Sequence, residues 1–359
     1  NLFKLMSPAI SLQSEKKMRD SQSENQYQKG VRHLHENGIK KVPNKYIFPI
    51  PDRPNMRKES HIQETNIKLP VIDFAELQGP KPVVNHGIPT DSISSMTDVC
   101  KRFFELPFEE RHKYMSTDMK APVRYGTSFN QNKDGNYCWR DFLKLVCHPV
   151  PDVFSLWPSS PEDLRQLAYS TQTRNLFLML MRAILESLGL WNAEMNIAEQ
   201  NEVLQEFQEG SQMMVANCYP PCPEPELTLG MPPHSDYGFL TLLLQDEVKG
   251  LQIQFEEKWL TVDPIPNAFV VNIGNHLEIF SNGKYRSVLH RVLVNQEKTR
   301  VIVASLHSLP FERVIQPSPK LINKNNPRRY KDTDFATFLE YVSSCEPKKK
   351  AFLESRKLD

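Results

Sequence analysis

Between residues 211 and 306 short apolar runs alternate with turn-forming residues, and this rhythm limits the fold more than any other feature of the chain. Residues 213–216, 240–244, 251–255 and 269–273 are each about one strand long and are bounded by Gly, Pro, Asn or Asp. Many strands at such close spacing point to a mostly β architecture with flanking helices, built on a double-sheet jelly roll. That scaffold is rigid and has a mouth wide enough for a ligand.

Pro232-Pro233-His234-Ser235-Asp236 runs directly into one of these apolar segments. Residues i and i+2 of a strand face the same side, so His234 and Asp236 are placed to grip one metal ion. A lone H-x-D in a chain with 10 histidines is ordinarily structural or solvated. The third ligand changes that reading: His290 shares one face of a period-2 run with Val288, Val292 and Val294. Two His and one carboxylate on one face of a metal leave positions open for co-substrate and O2, as in non-haem Fe(II) oxygenases. After the turn-like residues 295–299, Arg300-Val301-Ile302-Val303-Ala304-Ser305-Leu306 reads as a second strand. The two are expected to form a hairpin with Arg300 beside the His290 strand. A guanidinium there is a fixed fork for the far carboxylate of a dicarboxylate ligand.

The order His234, Asp236, His290, Arg300 resembles that of the plant 2-oxoglutarate/Fe(II)-dependent dioxygenases. Asn217-Cys218-Tyr219-Pro220-Pro221-Cys222-Pro223 is similar to that family's N-x-Y-P-x-C-P segment. Leu69-Pro70-Val71-Ile72-Asp73 and Val83-Val84-Asn85-His86-Gly87-Ile88 are similar to its first strand and the strand end that follows. The resemblance runs from about residue 42 to the C-terminus, and it is closer to flavanone 3-dioxygenase-like and downy-mildew-resistance-like oxygenases. It implies Fe(II) held by His234, Asp236 and His290, with 2-oxoglutarate and O2 as co-substrates and ascorbate as reductant. It further implies Arg300 on the distal carboxylate of 2-oxoglutarate, with Tyr219 and Asn217 hydrogen-bonding the same molecule. The reaction implied is decarboxylation of 2-oxoglutarate to succinate, coupled to hydroxylation, desaturation or demethylation of a small plant specialised metabolite or hormone. Tyr125, Phe129, Trp139 and Phe142 are candidates for the pocket wall. Leu306 stands where flavonoid-acting relatives often carry an aromatic, which argues against a flat polyphenol.

The chain departs from the family in two places. Relatives place a helix and a strand start between the first strand and V-V-N-H-G, whereas this chain passes from Glu76 to Val83 through Leu77-Gln78-Gly79-Pro80-Lys81-Pro82. Loss of a packed helix exposes apolar surface at roughly 25 cal/mol per Å2, against a net stability of about 5–15 kcal/mol. The family also usually reads R-x-S, and here Ile302 replaces the serine. Ile302 cannot donate to the carboxylate, so weaker 2-oxoglutarate binding is expected. Ser305, on the opposite face by period 2, is no substitute. These departures support a competing reading as a catalytically impaired paralogue. An ascorbate-using oxidase of the aminocyclopropane-carboxylate type is a further alternative, disfavoured by chain length and by the serine those relatives retain.

With 44 basic and 43 acidic residues in 359, nothing favours a nucleic-acid or membrane-surface partner. Cys100, Cys138, Cys147, Cys218, Cys222 and Cys345 show no framework spacing, so a reducing compartment and a cytoplasmic location are expected. A monomer is expected as well. No apolar run approaches the roughly 20 residues that span a bilayer. The expected organisation is a disordered N-terminus and extended arm (1–68), an N-terminal region of strands and helices (69–205), the jelly roll (206–318) and a closing helix and tail (319–359). Helices are expected near residues 92–114, 161–188, 193–207 and 334–342. The Lys348-Lys349-Lys350 run reads as solvated.

Overall fold

The computed structural model describes residues 29–54, 85–128, 134–149, 153–166, 168–192, 194–344 and 350–358. The expected disordered N-terminus, the first strand at 69–73, the shortened stretch before Val83, and Phe129 lie outside these residues.

Strands β1 (Val123–Gly126), β2 (Asp141–His148) and β3 (Gln212–Tyr219) come first. They are followed by β4 (Met231–His234), β5 (Leu240–Gln245), β6 (Leu251–Phe255), β7 (Lys258–Thr261) and β8 (Phe269–Ile273). Strands β9 (His290–Val292) and β10 (Arg300–His307) complete two antiparallel sheets. The larger has the order β1-β2-β3-β10-β5-β8 and the smaller β4-β9-β6-β7. Together they form the expected jelly roll, and β1 and β2 widen its larger sheet.

Alternation along the large sheet separates two environments. Leu143, Leu145, Met214, Ala216, Leu242, Leu244, Val301 and Val303 face outward and are buried. Against them lie α2 (Thr90–Glu105), α4 (Tyr169–Ser187) and α5 (Ile197–Gln208), which contribute Phe103, Phe177, Met181 and Phe207 to the same core. Burying a side chain of this size stabilises by about 1.5–3 kcal/mol. The residues at alternate positions face into the roll. Ser305 is on the outer face, as period 2 requires, and neighbouring His307 stacks on Phe177 with ring centroids 4.5 Å apart.

Three expectations need correction. Residues β9 and β10 do not form a hairpin: β10 is paired on one side with β3 and on the other with β5, leaving no edge for β9. Strand β9 pairs instead with β4 and β6 in the opposite sheet. The helix expected over 161–188 is broken into a 3-10 turn, Glu162–Gln166, and α4. Its buried face runs through Tyr169, Thr173, Leu176, Phe177, Leu180 and Met181, so Arg174 is free to donate to the Gly210 carbonyl at 3.0 Å. Lys350 is not merely solvated: its ammonium lies 3.6 Å from buried Glu278 and donates to the Ser287 carbonyl.

Ahead of the sheets, α1 (Val31–Glu36) is tied to β2, and a short α3 (Phe108–His112) follows α2. The buried Asp141 carboxylate accepts from the backbone N–H groups of Val31 at 2.9 Å and Arg32 at 3.1 Å, and from the Tyr125 hydroxyl at 2.8 Å. At the other end α7 (Phe335–Ser344) and α8 (Ala351–Ser355) lie across the mouth of the roll. Among the described residues no helix is long and apolar enough to cross a membrane.

Candidate active site

The roll encloses a cavity of about 280 Å3 between the two sheets. The last residue of β4, His234, is directly opposite His290 of β9 in the antiparallel register. Asp236 lies just beyond the end of β4, so the expected continuous strand through H-x-D stops at the first histidine. Its position is fixed another way. The N–H of Asn275, at the start of α6 (Asn275–Phe280), donates to the Asp236 carbonyl at 2.8 Å. The neighbouring Ser235 hydroxyl donates to Asn275 Oδ1 at 2.8 Å.

Asp236 Oδ1 is 3.8 Å from His234 Nε2 and 3.6 Å from His290 Nε2. One ligand atom from each of the three lies within 4.8 Å of the others. Carbonyl oxygens only accept, so the contacts from His234 Nδ1 to Pro232 O (2.8 Å) and from His290 Nδ1 to Val288 O (3.3 Å) assign the ring proton to Nδ1. Both Nε2 lone pairs are then free for a metal, and the carbonyls orient the rings. Burial, with His290 next, holds the His234 imidazole below its ordinary range and therefore neutral. Burial works against the Asp236 carboxylate, but His290 and His234 outweigh it and the group is held below the usual carboxylate range. Two imidazole nitrogens and an ionised carboxylate are the donor set that a ferrous ion takes.

Arg300 reaches the cavity from the large sheet, and it is almost fully buried. Its Nε donates to Val248 O at 2.9 Å and its Nη2 to Gln245 Oε1 at 2.7 Å. Its Nη1 is buried without a hydrogen-bond partner, and its guanidinium lies over the Tyr219 ring, 5.4 Å from the centroid. Two glycines make room for this pair. A Cβ on Gly250 would meet Arg300 Cδ at 3.1 Å, and one on Gly230 would meet the Tyr219 ring at 2.7 Å. A buried cation with an unmade hydrogen bond facing a cavity is a site for a carboxylate.

Asn217, Tyr219, Phe142 and Leu306 line the same cavity. Asn217 Oδ1 is occupied by Arg140 Nη1 at 2.9 Å. Ile302 lies in the cavity wall directly across from Asn217 in the register, so an apolar side chain does stand where the family has its serine. Two expected wall residues are elsewhere. Tyr125 alternates with Arg124 and Gly126 and points into the core, where it binds Asp141. Trp139 is buried on the far side, its indole donating to Pro220 O at 3.0 Å. The sequence reading missed Arg124, Arg140 and Lys144, all of which line the cavity. Cations embedded in alternating strand runs were the available signal. The five described cysteines are free and buried, Cys218 and Cys222 included.

The description "2OG-Fe(II) oxygenase superfamily" fits residues 210–308, and "non-haem dioxygenase in morphine synthesis N-terminal" fits residues 79–161. Protein DMR6-LIKE OXYGENASE 1 of Arabidopsis thaliana is 40% identical over 305 residues, covering 79% of this chain and 84% of that protein. The chain belongs to the 2OG-Fe(II) oxygenase superfamily. Flavanone 3-dioxygenase 2 of Oryza sativa subsp. japonica is 38% identical to this oxygenase over 309 residues, covering 81% of it and 87% of the relative. The crystal structure of JOX2 in complex with 2OG, Fe and JA superposes on it with a TM-score of 0.80 at 30% identity, covering 92% of this chain and 98% of the other. As a member of that superfamily it is a 2-oxoglutarate-dependent dioxygenase, and the assembled His234–Asp236–His290 cluster agrees.

Proposed function

We propose that this dioxygenase oxidises a small plant specialised metabolite or hormone, with His234, Asp236 and His290 as iron ligands and Arg300 as the anchor of 2-oxoglutarate. The observation that carries the reading is the placement of a buried, incompletely paired guanidinium in the same cavity as a preformed His–Asp–His cluster. When bound, the iron supplies the O2 activation that couples decarboxylation of 2-oxoglutarate to oxidation of a substrate C–H bond.

The protein's part is placement. Arg300 Nη1 takes the distal carboxylate, with the Tyr219 ring packed beneath the guanidinium and Gln245 and Val248 holding its other donors. Asn217 reaches the co-substrate only as part of a pair with Arg140. Phe142 and Leu306 supply apolar wall, and Phe335, Phe338 and Phe352 close the mouth against water. An assembled triad beside an available donor favours an active enzyme over the impaired-paralogue reading. The free thiols fit a reducing, cytoplasmic setting, and ascorbate as reductant and a monomeric state follow from the resemblance.

Anaerobic titration of the purified protein with Fe(II) and 2-oxoglutarate tests this, followed by the visible metal-to-ligand charge-transfer band. The wild type is expected to give the band and to release succinate in air, and His234→Ala to give neither. Folded wild-type protein without a band would overturn the assignment of the triad.

A further inference from the structure

The loop that carries Asp236 is held from behind by the end of β8 and the start of α6. The Gly274 N–H donates to the Phe239 carbonyl at 2.9 Å, next to the bond from Asn275 to Asp236 described above. The His276 N–H is shared between the carbonyls of Tyr237 at 3.2 Å and Gly238 at 3.0 Å. The two segments lie so close that a Cβ on Gly274 would meet the Gly238 oxygen at 2.1 Å. These bonds fix the main chain of residues 236–239. They leave the Asp236 carboxylate to be oriented by side chains.

Thr241 of β5 and Asn272 of β8 are direct partners in the register, and both line the cavity. They are almost fully buried, at 3% and 4% exposure. Burial opposes the charge on Asp236; His290 and His234 favour it, followed by the Thr241 and Asn272 side chains. Asp236 Oδ1 is the oxygen that faces both histidine Nε2 atoms, which leaves Oδ2 to another donor. Among the described residues, however, the buried Thr241 hydroxyl has no hydrogen-bond partner. A buried hydroxyl without a partner destabilises the fold. One left so in a cavity wall, beside a carboxylate in a metal-binding cluster, points to a bond made when that carboxylate turns to a metal.

We propose that Thr241 is a positioning residue for the metal: its hydroxyl donates to Asp236 Oδ2 when Oδ1 takes the iron, with the Asn272 amide as a second donor. The assignment rests on the dioxygenase reading above. It makes Asp236 a ligand through one oxygen, so the three protein ligands fill three positions and the others stay open to co-substrate and O2. Loss of a partner of this kind lowers metal affinity by about 10- to 100-fold. The assignment also separates two quantities that a purely structural residue moves together. Exchanging the hydroxyl for a methyl group removes a buried, unpartnered polar atom from the metal-free chain, but removes a hydrogen bond from the metal-bound one.

Anaerobic calorimetric titration of the full chain with Fe(II) alone tests the proposal, together with thermal unfolding in the presence of a chelator. Thr241→Val is expected to bind Fe(II) about tenfold or more weakly and, without metal, to unfold at the wild-type temperature or above. Thr241→Ser is expected to keep the wild-type affinity. Asn272→Leu, which removes the second donor, is expected to weaken Fe(II) binding as well. Unchanged Fe(II) affinity in Thr241→Val, or in Asn272→Leu should Thr241→Val not fold, would overturn the proposal alone. So would a Thr241→Ser protein as weak as Thr241→Val, which would assign the effect to packing. A metal-free Thr241→Val protein that unfolds well below the wild type would overturn it too, by making the hydroxyl a structural bond. Weaker 2-oxoglutarate binding at saturating Fe(II), with Fe(II) affinity unchanged, would give the hydroxyl to the co-substrate instead. Absence of the visible band from folded wild-type protein would overturn the dioxygenase reading and this proposal with it.

Discussion

At the metal end of the cavity, His234 and His290 are short, ringed side chains, each held through Nδ1 by a backbone carbonyl. At the β1–β2 end, Arg124 and Lys144 instead reach inward on long stems that donate to carbonyls of the 116–119 loop. The first end fixes direction: a metal ligand a fraction of an ångström out of place does not coordinate. The second fixes charge and little else, since an ammonium on four methylenes follows its partner. Arg300 stands between the two designs. It has a long side chain, but one immobilised on Gln245, Val248 and the Tyr219 ring. The two ends of the cavity thus sit on separate supports, and substitutions at one end are expected to leave the other intact.

Arg300→Met is the most severe way to break this separation. It removes the proposed carboxylate anchor and leaves Gln245 Oε1 and Val248 O without their donors. The loss of about 2–3 kcal/mol is expected to raise the KM for 2-oxoglutarate by roughly 30- to 150-fold, read from succinate release against co-substrate concentration. Binding of Fe(II) by the His–Asp–His cluster should be unchanged. A parallel loss there would show that the two ends are not independent.

Ile302→Ser sharpens the comparison in the favourable direction. A hydroxyl in the cavity wall, on the face that carries Arg300, adds one donor to a charged carboxylate. Binding of 2-oxoglutarate is expected to tighten by about tenfold in the anaerobic titration. An unchanged titration would show that Arg300 and its neighbours already satisfy the carboxylate.

The smallest effect is on pH dependence. Lys144 is faced by Arg124 from β1, by Asp118 from the preceding loop and by Arg140 beyond Phe142, while Val215 of β3 brings no charge. With its ammonium titrating at about 8, the form that attracts an anion is present below that pH and is lost above it. Binding of a carboxylic acid such as 4-phenylbutanoate beside Lys144 is therefore expected to weaken a few-fold between roughly pH 7.5 and 8.5, and binding of its methyl ester to stay flat. A flat profile for the acid would remove Lys144 from its recognition.

The proposed metal ligands were legible in the sequence because they are written locally, as H-x-D before an apolar run and a histidine inside another. The jelly roll was legible from strand rhythm. Register and partnership were not. Residues 290–306 look like a hairpin because a turn separates two strands, yet β10 has both edges occupied by β3 and β5. Tyr125 and Trp139 attracted attention as aromatics, but which face of β1 looks inward is decided by its pairing with β2. The same pairing brings Arg124 beside Lys144, a juxtaposition of residues far apart in the chain. Ile302 could be read in advance because its position is fixed by counting from Arg300.

Strand β10 is the last of the described strands in chain order, yet it occupies the middle of the large sheet. A chain still being synthesised carries β1-β2-β3 and β5-β8 as two unjoined pieces until residues 300–307 emerge. Pairing over such separations is slow, and segments that await it remain open to wrong partners. Arg300, the proposed co-substrate anchor, arrives on that same strand. A product cut short before Arg300 is therefore not a weaker oxygenase but a pair of unfinished sheets with no place for 2-oxoglutarate.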